Sequence, residues 1–150
     1  MAETAQTGRP LQMTTPFGTK MLPTALNATE TMSELYRFDV EAVVEPGTDI
    51  EFDKLLGKPV CVTLFKPVAN ESRFFHGLVR SVTQGESSLD STYYQMELVP
   101  AVWALTKRAQ SRIFQQITIP DILKKVFAGF DIDYKIQGDR KSTRLNSSHG

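Results

Sequence analysis

The sequence contains little cysteine, little histidine and no excess of charge, and each shortage excludes a class of protein. Cys61 is the only cysteine of the 150 residues, so the chain can form neither an internal disulfide nor a metal site built from several thiolates. The 17 basic and 17 acidic residues give a formal net charge of +0. Because nucleic-acid-binding domains usually carry a strong basic excess, we expect no nucleic-acid partner.

A long hydrophobic run is also absent. The most apolar stretch, LVPAVWAL, contains Pro100 and is much shorter than the roughly 20 residues that a membrane-spanning helix needs. The first residues, MAETAQTGRP, include an acid and lack the apolar core of a secretory signal. We therefore predict a chain that is made in the cytoplasm, has no signal peptide and does not insert stably into a membrane.

Alternating apolar and polar residues predict a series of strands. The alternation is clear in SELYRFDVEAVV, and VCVTLFK, RFFHGLVRSVTQ and TYYQMELVPAV are rich in β-branched and aromatic residues. Turn residues in GESSLDS join the last two segments into an antiparallel hairpin. Pro100 ends this hairpin because proline cannot donate to a ladder. A short extended stretch is also predicted from Leu11 to Thr14.

Two segments have helix signals. A short helix is predicted from Ile50 to Leu56, with Thr48 or Asp49 as its cap and Gly57 after its end. In TIPDILKKVFAGF, apolar residues recur with the 3.6-residue period of a helix, and Thr118 with Asp121 forms a capping-box-like start. The following DIDYKIQ alternates again and predicts the beginning of one more strand.

Because strands dominate, the predicted fold is mainly β: an antiparallel barrel-like domain with a few short helices at its ends. Residues 1–32 are predicted as a partly extended N-terminal arm, and residues 33–138 as the barrel, incomplete at its C-terminus. The last segment, residues 139–150 (DRKSTRLNSSHG), is polar and basic without periodicity. We predict that it is a foreign or disordered tail.

Cys61 and His76 are the candidates for chemistry. A catalytic reading makes Cys61 a nucleophile and His76 its base, each on its own strand, in a small barrel hydrolase. The alternative, a core cysteine and a strand histidine without chemistry, is favoured because neither an orienting group nor an oxyanion site is evident. Gly77 is more informative, since a glycine within a strand marks a bend or a close backbone approach.

The remaining polar clusters indicate no further site. The carboxylates between Asp39 and Asp53 show no spacing that singles out a pair, and neither GxGxxG nor GxxxxGKT/S is present. Lys107, Arg108 and Arg112 are typical of a solvated turn or a subunit contact. We therefore predict no catalytic residue, no cofactor and no metal site.

Several of these segments together resemble a known family, the VgrG spike proteins of the bacterial type VI secretion system. The similarity runs from about Ser33 to Gly138 and is strongest in YYQMELVPAVWALTKRAQSRIFQQITIPDILKKVF. Its most specific positions are Tyr94, Leu98, Pro100, Trp103, Leu105, Arg112, Ile113, Phe114, Gln115, Pro120, Asp121 and Ile122. The tail after Gly138 departs from the family, whose members continue into further strands and a second barrel.

The resemblance implies a structural role and no enzyme activity. It implies a homotrimer that resembles a phage tail hub, contacts a hexameric tube protein and baseplate components, and is secreted by contractile injection. Effectors would be carried through C-terminal regions that this chain lacks. A contractile phage-tail hub protein is the alternative. Trp103, Ile113 and Phe114 are expected to be packing anchors.

Overall fold

The computed structural model describes residues 6–135, and its centre is one six-stranded antiparallel sheet. The strands are β1 (Leu11–Thr14), β2 (Met21–Thr29), β3 (Arg37–Val44), β4 (Pro59–Lys66), β5 (Glu71–Ser87) and β6 (Thr92–Val99). They follow the order β1-β4-β5-β6-β3-β2, so the two edge strands are consecutive in sequence. The sheet curls into a nearly closed barrel, which confirms the predicted fold class.

One face of this sheet supplies the core, as the alternation in the sequence predicts. Along β3, Phe38, Val40, Ala42 and Val44 are buried while Arg37 and Glu41 are exposed. The helix α1 (Phe52–Leu55) adds the buried Leu55. The other core residues are Met13, Met21, Ile50, Val60, Val62, Phe75, Val79, Tyr94, Met96 and Leu98.

The 17-residue strand β5 forms the corner of the barrel. Its first half pairs with β4, and from Leu78 onward it pairs with β6. At Gly77 an added Cβ would lie 3.0 Å from the carbonyl oxygen of Val99 and 3.1 Å from the Cβ of Leu98. The close backbone approach predicted for Gly77 is therefore confirmed. The register shift between Val79 and Ser81 then turns Val82 towards the core, a reversal that simple alternation does not predict.

The edges β1 and β2 do not pair with each other, and a buried glutamine bridges them. The Nε2 of Gln6 lies 3.0 Å from the carbonyl oxygen of Met13, 2.9 Å from that of Thr19 and 3.1 Å from that of Met21. Its Oε1 accepts a 2.7 Å hydrogen bond from the amide of Met13. The side chain is only 4% exposed. We call this contact the Gln6 seam.

The segment predicted as an N-terminal arm, residues 1–32, contains two strands of the sheet. The extended stretch Leu11–Thr14 is confirmed as β1, but β2, which was not predicted, also lies in the sheet. β2 contains Pro23 and a register shift between Pro23 and Ala25, so its alternation is broken. Proline is tolerated there because β2 is an edge strand. Residues 11–29 therefore form part of the barrel wall, while the domain boundary at residue 33 stays a prediction.

The cap predicted for α1 is also wrong. The helix begins after Glu51, which makes no side-chain capping bond, and neither Thr48 nor Asp49 takes that position. Lys54 instead reaches back to Glu51 with a 2.7 Å ion pair, because residues three apart are neighbours on the surface of a helical turn. Gly57 follows the helix with a positive φ of 70°, as predicted for its end.

A second compact unit begins at Arg112. Its helix α2 (Ile119–Val126) is confirmed, with Thr118 as N-cap accepting from the amide of Asp121. Residues 131–135 form no strand, contrary to the expectation for DIDYKIQ, because no neighbouring strand within residues 6–135 pairs with them. Ile136 and the predicted tail, residues 139–150, lie outside the described residues. Among residues 6–135, no helix has the length and apolarity needed to span a bilayer.

Candidate functional surface on the outside of the barrel

Cys61 and His76 are direct cross-strand partners in the β4–β5 ladder. The carbonyl of His76 accepts a 2.8 Å hydrogen bond from the hydroxyl of Tyr36, so it points away from β4. The two residues therefore form a non-hydrogen-bonded pair, the kind in which opposite side chains lie closest. Both side chains lie on the outer face, with Cys61 half-buried and His76 exposed.

The geometry of this pair is simple. Within residues 6–135, the imidazole of His76 has no hydrogen-bond partner and no carboxylate within ion-pair distance. The same residues contain no group of three or more metal-ligating side chains. The pair therefore brings a thiol beside an imidazole without the third group that orients a catalytic base.

Aromatic contacts fix the strand behind His76. Tyr36 stacks on Phe38 with ring centroids 4.6 Å apart, and Phe38 meets Phe75 edge-on at 5.2 Å. Arg73 lies 4.8 Å above the ring of Phe75 and forms an ion pair with Glu30. Burial, with the charge of Glu30 as a smaller cause, raises the pKa of the Tyr36 hydroxyl, so this donor stays protonated at neutral pH.

Two phenylalanines on the same outer face form an exposed apolar surface. Phe74 is 66% exposed and lies opposite Thr63, while Phe65 is 37% exposed and lies opposite Ser72. Because residues two apart on a strand share a face, Phe74 and His76 lie side by side, as do Phe65 and Thr63. We call Phe65 and Phe74 the aromatic patch. Exposed apolar surface of this kind commonly marks a protein contact.

A second outer region is held by charge. Glu97 is 2.8 Å from Arg80 and 4.0 Å from Arg37, and Arg80 also lies 5.3 Å from the ring of Trp103. Lys107 lies 5.0 Å from the same ring. Sequence reasoning did not identify Glu97 as the centre of this network, because only the register of β3, β5 and β6 brings its partners together.

The residues predicted as packing anchors differ in how far they are packed. Trp103 packs beside Arg80 and Lys107, whereas Ile113 is 87% exposed within the second unit. Among the carboxylates between Asp39 and Asp53, for which no site is predicted, Asp39 forms an ion pair with Arg37 and Glu51 forms one with Lys54.

Comparison with known proteins gives a consistent result. The phage tail baseplate hub (GPD) family matches residues 29–148, which includes most of the segment 139–150. The type VI secretion system spike protein VgrG1c of Pseudomonas aeruginosa is 34% identical over 124 residues, 82% of this chain and 17% of that protein. VgrG1b of the same organism is 33% identical over 82% of this chain and 16% of its own length.

A solved structure shares the fold. The E. coli c3393 protein, a component of the type VI secretion system with structural similarity to the T4 bacteriophage tail proteins gp27 and gp5, has a TM-score of 0.60 and 23% sequence identity. The likeness covers 71% of this chain and 28% of that one. The chain spans less than a fifth of the length of VgrG1c and VgrG1b. These findings confirm the resemblance inferred from the sequence.

Proposed function

The chain belongs to the phage tail baseplate hub family, and from this premise we propose that it is a structural, non-enzymatic part of a type VI secretion tip. In this role it forms hub wall within a larger spike protein. The observation that carries the proposal is the family match across residues 29–148, together with the similarity to spike proteins over most of the chain. The antiparallel barrel supports it, because a wall of strands joined by backbone ladders suits a part that bears load.

The proposed partners follow from the same premise. The complete protein would be a homotrimer that contacts a hexameric tube protein and baseplate components. Effectors would be attached through regions beyond this chain, and the protein would be made in the cytoplasm and leave the cell with the tube. A contractile phage-tail hub is the alternative machine, and it would use the same surfaces.

We assign the aromatic patch to the contact between copies of this chain. Permanent subunit interfaces are more apolar than contacts between separately folded partners. Phe74, at 66% exposed, and Phe65 beside it supply the apolar surface that such an interface would bury. Their strands are ordered by the ladder and by the Tyr36 hydrogen bond, so little conformational entropy would be lost on association.

The test is the mass of the complete protein in solution. Light scattering should give a trimer, and that trimer should co-purify with the tube protein. Phe74→Ser should reduce the trimer fraction, whereas Leu89→Ser, which alters a 96% exposed leucine in the β5–β6 turn, should leave it unchanged. A wild-type protein that is monomeric and does not bind the tube protein would refute the proposed function. Equal trimer fractions for both variants would refute only the assignment of the patch.

The rival function is a thiol hydrolase, and the direct pairing of Cys61 with His76 is the observation that favours it. Such an enzyme would lose its hydrolytic activity in Cys61→Ala and react readily with thiol probes. We expect instead that Cys61→Ala trimerises and binds the tube like the wild type. Hydrolysis that disappears with the thiol would overturn the non-enzymatic proposal.

A further inference from the structure

A shallow cleft lies on the outer face of the barrel, away from the aromatic patch. Its lining comes from three adjacent strands: Glu41 of β3, Tyr93, Tyr94 and Gln95 of β6, and Thr83 and Gly85 of β5. Its volume is about 190 Å³. The register explains this convergence, because Gln95 lies opposite both Glu41 and Thr83.

Gly85 leaves room beside the tyrosine. An added Cβ at this position would lie 3.5 Å from the Cβ of Tyr93, which is ordinary contact, so the position tolerates a side chain. The ring of Tyr93 remains 50% exposed. The cleft therefore offers an accessible aromatic side chain next to polar groups.

The polar groups of the cleft are uncommitted. Within residues 6–135, the side chains of Glu41, Thr83, Tyr93 and Gln95 make no hydrogen bond or ion pair with the protein. The adjacent row differs, since Glu97 there binds Arg80 and accepts from the hydroxyl of Ser81. Four convergent polar side chains that the fold leaves unused are a feature of ligand sites.

We propose that this cleft binds one pyranose unit of a glycan. Its volume is below the roughly 300–1,000 Å³ of sites for larger ligands and fits a single small ring. Sugar hydroxyls both donate and accept, which matches the hydroxyls of Thr83 and Tyr93, the amide of Gln95 and the carboxylate of Glu41. The C–H face of a pyranose can pack on the ring of Tyr93, whose face carries partial negative charge.

A basic side chain of a partner protein is the competing occupant. It would use the carboxylate of Glu41 and the face of Tyr93. It would leave unused the donors that Thr83, Tyr93 and Gln95 supply, because ammonium and guanidinium groups accept no hydrogen bonds. The mixture of donors and acceptors therefore favours the sugar.

The experiment is an NMR titration of the ¹⁵N-labelled full chain. The probes are the methyl β-glycosides of glucose, galactose and N-acetylglucosamine, with Nα-acetyl-arginine amide as the cationic comparison. At least one glycoside should cause saturable shifts at the amides of residues 41, 83, 85, 93 and 95. The dissociation constant should be on the order of millimolar, as expected for a ligand of about a dozen heavy atoms.

Three variants make the test specific to the cleft. Gly85→Val fills the space beside Tyr93 without removing a polar group, and Tyr93→Ala removes the ring. Each should weaken binding by about tenfold or more, which corresponds to about 1.4 kcal/mol. Glu41→Gln should also weaken binding. The control is Glu86→Gln, which alters an exposed glutamate of β5 outside the lining and should leave binding unchanged.

The contrary outcomes are equally distinct. Saturable binding of the arginine probe without any glycoside would identify a cation site and overturn the proposal. Shifts that do not saturate, or that persist in Gly85→Val, would show non-specific contact. None of these results depends on trimer formation or on the tube, so the proposed function is tested separately.

Discussion

The Gln6 seam gives the sharpest prediction about stability, because one side chain there replaces a backbone ladder. Gln6→Ala would remove the donor that serves the carbonyls of Met13, Thr19 and Met21, and the acceptor for the amide of Met13. We expect this single change to destabilise the barrel more than the loss of an ordinary polar side chain.

The magnitude follows from the hydrogen bonds. The amide nitrogen has two hydrogens for three acceptors, and the oxygen accepts once, so about three hydrogen bonds are lost. At about 1 kcal/mol each, the free energy of unfolding should fall by about 3 kcal/mol. An amide left unpaired raises this cost, and water entering the vacated space lowers it. For a domain of this size the change corresponds to a melting point lower by about 10 °C.

Urea unfolding followed by far-ultraviolet circular dichroism measures the effect. Gln12→Ala is the matched control, since Gln12 lies on the adjacent β1 and donates only one exposed hydrogen bond, 3.3 Å long, to the carbonyl of Arg9. Its cost should stay within about 0.5 kcal/mol. Equal losses for the two variants would show that the seam is not held by Gln6.

Gln6→Glu separates hydrogen bonding from side-chain volume. The new oxygen would face three carbonyl oxygens in a buried site, which disfavours the carboxylate and raises its pKa in the folded state above the unfolded value of about 4.3. The folded protein then binds more protons than the unfolded one between these two pKa values. The variant should therefore gain stability relative to the wild type as the pH falls from 7 towards about 4.3. A constant difference across that range would contradict the reasoning.

Two further predictions concern the β5 corner. Gly77→Ala should lower the free energy of unfolding by about 1–3 kcal/mol in urea, because its Cβ would lie 3.0 Å from the Val99 oxygen. Gly85→Ala, whose Cβ would lie 3.5 Å from its nearest neighbour, should be almost neutral. Similar costs for the two variants would contradict the close approach at Gly77. Tyr36→Phe should cost about 1 kcal/mol at neutral pH through the lost bond to His76. Because the Tyr36 pKa is raised on folding, the stability of the wild type should fall as the pH rises above about 10. The stability of Tyr36→Phe should fall less steeply over the same range. Parallel stability curves would refute this contribution of the Tyr36 hydroxyl.

The sequence predicted those parts of the fold in which local pattern and tertiary contact agree. The alternation in β3 and the turn between β5 and β6 each report a local preference that the sheet uses directly. β2 was missed because Pro23 and the shifted register break its alternation, and an edge strand tolerates both. The amphipathic pattern of α2 was recognised together with its Thr118 cap.

The surface regions could be predicted much less well, because they depend on register. Cys61 and His76 were considered together from residue type alone, yet their direct pairing is set by the ladder. Glu97 is one acid among many in the sequence, and only the three-strand register makes it a partner of Arg37 and Arg80. The cleft beside Tyr93 likewise joins the β5–β6 hairpin to β3, a strand that lies much earlier in the chain.

The Gln6 seam also connects the fold to the proposed function. Five strand pairs of the sheet are joined by backbone ladders, whereas β1 and β2 have no ladder and are bridged by the side chain of Gln6, so an opening of the barrel should begin between them. A hub wall that bears load needs this junction closed. A buried glutamine closes it without extending the four-residue β1 into a longer exposed edge, and short edge strands limit unwanted pairing between chains. The seam therefore closes this junction while β1 stays a short edge strand.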